Sequence, residues 1–216
     1  MSPDSKLQRE VLAELNWDPR VPSGHIGVTA KAGLVTLTGH TENYADKHAA
    51  EVATRRVRGV RGVTEEIEVH LNPLGERTDE DITAAIVSRL SWDPSIPKDA
   101  VTPTVENGWV TLTGEVRWHF EKKAVAQHVE RIAGVIGVSN EIAIKPRVNA
   151  GAVEEDITHA LHRSCFFDPK LVTVNAEGGT VKLSGTVPTF HDRRVAEETA
   201  WASPGAVEVE NMIIVA

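Results

Sequence analysis

Three short stretches of the chain alternate apolar and polar residues between two glycines. They are Gly33-Leu34-Val35-Thr36-Leu37-Thr38-Gly39, Gly108-Trp109-Val110-Thr111-Leu112-Thr113-Gly114 and Gly179-Thr180-Val181-Lys182-Leu183-Ser184-Gly185. Alternation rich in β-branched residues predicts a half-buried strand. The trailing glycine suits a strand exit that needs unusual backbone angles. A weaker alternating run precedes each one, at 26–30, 102–106 and 172–176. The short links Lys31-Ala32-Gly33, Asn107-Gly108 and Glu177-Gly178-Gly179 predict antiparallel hairpins.

Upstream of each hairpin the apolar period changes to that of a helix. The stripes are Leu7, Val11, Leu12, Leu15; then Ile82, Ile86, Val87, Leu90; then Ile157, Leu161, His162, Cys165. Asp4, Asp79 and Glu155 stand near the helix starts, where a carboxylate favours the dipole and can cap. Downstream a second helical pattern uses small residues: Ala49, Ala50, Ala53, Val57; Ala124, Val125, Val129, Ile132; Val195, Ala196, Ala200. Gly59, Gly134 and Gly205 stop it. Strands at 63–71, 138–144 and 207–215 close each unit.

The order helix–strand–strand–helix–strand is thus written three times, and the spacing proves the repeat. Trp17-Asp18-Pro19 returns 75 residues later as Trp92-Asp93-Pro94, and 75 later again as Phe167-Asp168-Pro169. Gly39 and Gly114 are also 75 apart, but Gly114 and Gly185 only 71, so the third copy is four residues shorter after its Asp-Pro. The expected domains are 1–72, 76–146 and 152–216, with linkers near 72–77 and 146–151. Units of this size are marginal alone, which leads to an expectation of packing between units or of homo-oligomerisation.

A formal net charge of −8 argues against nucleic acid as a partner, since phosphate binding needs clustered Lys and Arg. The single cysteine, Cys165, excludes an internal disulfide and a cysteine-rich zinc site; replacing Leu15 and Leu90 of the other stripes, it is expected to be a small buried residue. The chain begins directly in an amphipathic pattern, without the apolar core of a signal peptide, and the expected location is cytoplasmic.

Candidate chemistry is sparse. The acid–base pairs Asp46-Lys47, Glu121-Lys122 and Asp192-Arg193 recur because each second helix starts with favourable charge. Asp18, Asp93 and Asp168 are explained by turns. The nine histidines follow no ligand spacing; His159 and His162 share part of a face, but no metal and no cofactor is expected. There is no nucleophile–base signature and no phosphate loop, so no catalytic residue is assigned and an enzyme is not expected. One basic zone remains: Arg55, Arg56, Arg58 and Arg61 with Lys47, suited to lipid phosphates or an acidic partner. Trp109, Trp118, Phe120, Phe190 and Trp201 are candidate exposed aromatics, with Trp109 read as a partly exposed edge residue. Trp17, Trp92 and Phe167 read as core.

The pattern Gly-x-Val-x-Leu-x-Gly, then a helix starting near an acid–base pair, then Gly-Val-x-x-Val, resembles the BON domain family. The matching closing segments are Gly59-Val60-Arg61-Gly62-Val63, Gly134-Val135-Ile136-Gly137-Val138 and Gly205-Ala206-Val207-Glu208-Val209. The resemblance spans nearly the whole chain. It implies an α+β fold of three tandem α-β-β-α-β units, each a three-stranded mixed sheet packed by two helices. It further implies envelope maintenance, osmotic stress and binding of an anionic phospholipid surface, with a periplasmic location as the alternative. It brings no catalytic residues. The function expected is a non-enzymatic binding protein, with a cytoplasmic protein-binding scaffold or stress-protective role as the alternative.

Overall fold

Each glycine-bounded stretch buries every second side chain: Val35 and Leu37, Val110 and Leu112, Val181 and Leu183 are all fully enclosed. One face of each sheet is therefore dry, and it is the face the helices cover. The structure is a computed structural model that describes residues 2–71, 77–97, 99–145, 153–163 and 171–216. The first repeat runs α1 (Pro3–Trp17), β1 (Ile26–Lys31), β2 (Leu34–Thr41), α2 (Tyr44–Arg55) and β3 (Gly62–Val69). The second runs α3 (Asp79–Ser91), β4 (Val101–Glu106), β5 (Trp109–Val116), α4 (His119–Val129) and a third strand in two pieces, β6 (Gly137–Asn140) and β7 (Ala143–Ile144). The third runs α5 (Val153–Arg163), β8 (Val172–Glu177), β9 (Thr180–Val187), α6 (Phe190–Trp201) and β10 (Glu208–Val215). The linker residues 72–76 and 146–151, Cys165 and the Phe167-Asp168-Pro169 corner lie outside the described residues.

In every repeat the glycine-bounded strand is central, with the hairpin partner on one side and the closing strand on the other. The hairpin is antiparallel, as the short turns require. The closing strand of the second and third repeats runs parallel to the central one, because a helix crosses over between them. The fold is α+β, with three mixed sheets, one to a repeat.

The trailing glycine is not the strand exit that the pattern suggests. Gly39 and Gly114 lie inside β2 and β5, opposite the first residues of β1 and β4. There φ is +120° and +129°, and a Cβ would come within 2.0 Å of the His25 carbonyl oxygen and 2.1 Å of that of Ala100. The hairpin partner ends at this bend while the central strand continues beside the closing strand.

The acids at the helix starts do more than cap. Ser2 and Thr78 are the N-caps, Thr78 in a reciprocal box with Asp81. Asp4 instead accepts the backbone N–H of Ala32, and Asp79 accepts those of Asn107 and Gly108. Each carboxylate thus ties the start of a helix to the hairpin turn. In the third repeat Glu154, rather than Glu155, makes the corresponding tie, accepting the N–H of Ala176 near the end of β8.

The described chain packs as two compact units, residues 1–54 with 63–144 and residues 55–62 with 145–216. Within the first unit, α2 meets the end of α4. The Tyr44 phenol is pushed up by burial and by the nearby carboxylates of Glu130, Glu65 and Glu51, while a backbone bond to Val138 opposes the shift. Burial likewise raises the Glu130 carboxyl, against the opposing pull of His48 and Arg131.

Candidate functional site

The corner after each first helix is where structure and sequence reading part. Trp17 closes α1 and is 83% exposed; Trp92 follows α3 and is 82% exposed. Neither is core, contrary to what their hydrophobicity suggests. Helical phase explains why. The buried stripes are Leu7, Val11, Leu15 and Ile82, Ile86, Leu90. A residue two places beyond Leu15 or Leu90 is turned by roughly 200° at ~100° per residue, onto the opposite side.

The aspartate beside each tryptophan turns inward and organises the corner. Asp18 is buried; it accepts Arg20 N–H at 3.1 Å and Arg20 Nε and Nη2 at 2.9 and 2.7 Å. Asp93 accepts the Ser95 N–H and hydroxyl at 2.8 and 2.6 Å, and His128 Nε2 of α4 lies 2.6 Å from its other oxygen. The Ser95 hydroxyl, then the Ser95 N–H, then His128 bring the Asp93 carboxyl down to about 2. Both aspartates shape turns, as the sequence reading has it.

The recurrent acid–base pairs divide their labour. The acids serve the helix starts: Asp46 exchanges bonds with Asn43, Glu121 accepts Arg117 and Trp118 N–H, and Asp192 pairs with the Thr189 hydroxyl. The bases sit in the seam between helix and closing strand. Lys47 Nζ donates to the Ile67 carbonyl at 2.8 Å and lies 3.2 Å from Glu65, and Arg193 donates to the Asn211 carbonyl. Burial holds Lys122 below the ordinary lysine range.

Lys47 is therefore engaged in packing within the first unit. Arg55 ends α2, and Arg56, Arg58 and Arg61 follow in the turn; all four are exposed and belong to the segment 55–62 of the second unit. Trp109 is 50% exposed, yet it starts the central strand β5 and is no edge residue. Its ring lies on Gly137, where a Cβ would come within 2.3 Å of it, and its Nε1 donates to Ser139 Oγ at 3.0 Å. Trp118 and Phe120 stack at 6.4 Å with Phe120 exposed, whereas Phe190 and Trp201 are half-buried, Trp201 against the third core.

Composition gave no hint of a histidine cluster. His25, His40 and His70 stack in one row, with ring centroids 4.8 and 5.1 Å apart and planes within 16° and 18° of parallel. His70 Nε2 lies 2.8 Å from Glu68. The signal was the hairpin register: residue 26 pairs with 39, which sets 25 beside 40, and His70 N–H bonds to the Thr41 carbonyl. Among the described residues, no group of three or more His, Cys, Asp or Glu is arranged to hold a metal ion. Nor is any described helix long and apolar enough to cross a membrane.

Comparison with known proteins accounts for the repeat. The BON domain matches residues 3–70, 78–146 and 149–216. Osmotically-inducible protein Y of Escherichia coli (strain K12) is 26% identical over 146 residues, covering 66% of this chain and 73% of that protein. Two solved structures of CdsD, a structural protein of the type III secretion system of Chlamydia trachomatis, align at 16% and 17% identity. They cover 98% and 97% of this chain and 92% and 97% of theirs, with TM-scores of 0.27 and 0.28. Three matched segments spanning almost all of the sequence place the chain in the BON domain family, as a protein built of three such domains in tandem.

Proposed function

We propose that this chain is a non-enzymatic binding module that associates with an anionic phospholipid surface. The observation that carries the reading is the pair of corner tryptophans, Trp17 and Trp92, held almost wholly in water at equivalent places in two repeats. An indole is apolar over most of its area with one polar N–H, which suits the headgroup region of a bilayer. The inward aspartates fix the corners that present them. Two anchors on one unit bind multivalently, so each can be weak. Arg55, Arg56, Arg58 and Arg61 supply charge-assisted donors for phosphate on a chain that is acidic overall. The name of the Escherichia coli relative supports a setting in osmotic stress.

Flotation with phosphatidylcholine vesicles, with and without phosphatidylglycerol, tests this at low and physiological salt. The wild type is expected to float with the anionic vesicles. The Trp17→Ala/Trp92→Ala variant is expected to lose most of that binding, and the Arg55/Arg56/Arg58/Arg61→Ala variant its salt-sensitive part. No flotation with any vesicle, at any pH from 5.5 to 7.5, would sink the reading.

A second reading has its own observation. β10 is an eight-residue edge strand with Met212 and Ile214 exposed, a surface on which an extended segment of another protein can add a strand. Capture of such a segment that survives both sets of substitutions supports it.

A further inference from the structure

The histidine row of the first repeat is absent from the other two, although the fold builds the same corner three times. The equivalence is structural. At the bend glycines Gly39, Gly114 and Gly185 a Cβ would strike the carbonyls of His25, Ala100 and Leu171. His40, Glu115 and Thr186 follow those glycines. His70 N–H bonds to Thr41 as Ala216 N–H bonds to Val187, and Lys145 follows the matching strand of the second repeat. Ala, Glu and Lys, or Leu, Thr and Ala, thus serve the corner equally well. Stability of the fold does not explain three stacked imidazoles.

The turn that carries His25 is tied to the end of α1. Ser23 Oγ donates to Asn16 Oδ1 at 2.6 Å, tying the turn Ser23–His25 to the end of α1, next to Trp17. His25 and His70 are exposed and His40 is half-buried. Nearly parallel rings 4.8 and 5.1 Å apart do not close on one ion; strung out in a row, they suit separate phosphate groups of a surface. The other charged groups on the strands and turns of this corner are Asp18 and Arg20, paired with each other, Lys31 at the far end of β1, Glu42 after β2, and on β3 Glu65 against Lys47, Glu66, and Glu68 against His70.

We propose that His25, His40 and His70 form a proton-dependent site for the phosphate groups of an anionic lipid surface, regulating the attachment that Trp17 makes. The inference rests on the lipid reading above. Histidine is the side chain whose charge ordinarily changes between about pH 5 and 8. An anion is held more tightly by an imidazolium than by a neutral imidazole, so proton uptake and phosphate binding favour each other. Glu68 offsets one of the charges gained.

Flotation with phosphatidylcholine–phosphatidylglycerol vesicles at pH 7.5 and 5.5 tests it on the full chain. The bound fraction of the wild type is expected to rise at least about fivefold at pH 5.5 through the coupled protonation. His25→Gln/His40→Gln/His70→Gln is expected to stay flat while still floating at pH 7.5 through its tryptophans. Should that variant fail to fold, His40→Gln alone removes the middle ring and must lose most of the rise. A flat wild type, or a rise retained in the glutamine variants, overturns the site while leaving the lipid reading intact; no flotation at either pH overturns both. In parallel, NMR of the histidine ring protons follows the titration of the row. If inorganic phosphate alone moves that titration as vesicles do, the site belongs to free phosphate and the lipid assignment is overturned.

Discussion

The two described corners, Trp17-Asp18-Pro19-Arg20 and Trp92-Asp93-Pro94-Ser95, reach one shape by different bonds. Both turn the indole outward and the carboxylate inward. In the first, Arg20 supplies donors from both its backbone and its guanidinium, two residues along the same turn. In the second, Ser95 supplies the turn and His128 reaches over from α4, coupling the end of one helix to the other. What persists between the copies is the electrostatic requirement, a carboxylate fully supplied with hydrogen-bond donors. The donors themselves are free to change.

The largest effect is expected where the corners are alike. Gly39→Val or Gly114→Val would drive a side chain into a backbone carbonyl at positive φ, and each is expected to cost about 3 kcal/mol or more in urea denaturation. A cost under about 1 kcal/mol would show that the bend yields.

Smaller effects separate the corners. Asp18→Ala and Asp93→Ala are each expected to cost about 1 kcal/mol, since both remove hydrogen bonds that hold the turn while water takes over the freed donors. Only Asp93→Ala should also loosen α3 from α4, seen as faster amide exchange in both helices. Acid sharpens the distinction. The depressed Asp93 carboxyl contributes stability that is complete above its unfolded pKa, near 4, and is lost as pH falls through about 2. Asp93→Asn is expected to flatten that part of the acid denaturation curve; an unchanged slope would place the protonation elsewhere.

The smallest effect is the most telling. Trp17→Ala and Trp92→Ala are expected to change stability by no more than about 0.5 kcal/mol, as exposed substitutions do. Core tryptophans would cost roughly 3–5 kcal/mol in the same measurement.

The fold was legible because its signals are local and repeated. Alternation in Val35 and Leu37 and its copies, helical spacing in Leu7, Val11 and Leu15, and the shared 75-residue offset all act within one element. The candidate site was less so. Hydrophobicity pointed Trp17 and Trp92 inward, although their phase relative to Leu15 and Leu90 already pointed outward. Lys47 looked like one more surface cation because its seam partners, Glu65 and the Ile67 carbonyl, lie on a strand about twenty residues away. The histidine row depends on strand register and parallel closure together, which spacing along the chain does not reveal.

The contact between Trp109 and Gly137 also limits which side chains that pair of positions can hold. In the third repeat the paired positions hold Thr180 and Glu208, a small residue on the central strand beside a large one on the closing strand. In the second the sizes are exchanged, with the indole lying on a residue that has no side chain. Any side chain at position 137 would meet the ring, so the indole and the bare glycine fit only as a pair. Gly62 opens the closing strand of the first repeat in the same way, and Leu34 its central strand. Size is thus shared out between the two strands, and a change on one is tolerated only as far as the other leaves room.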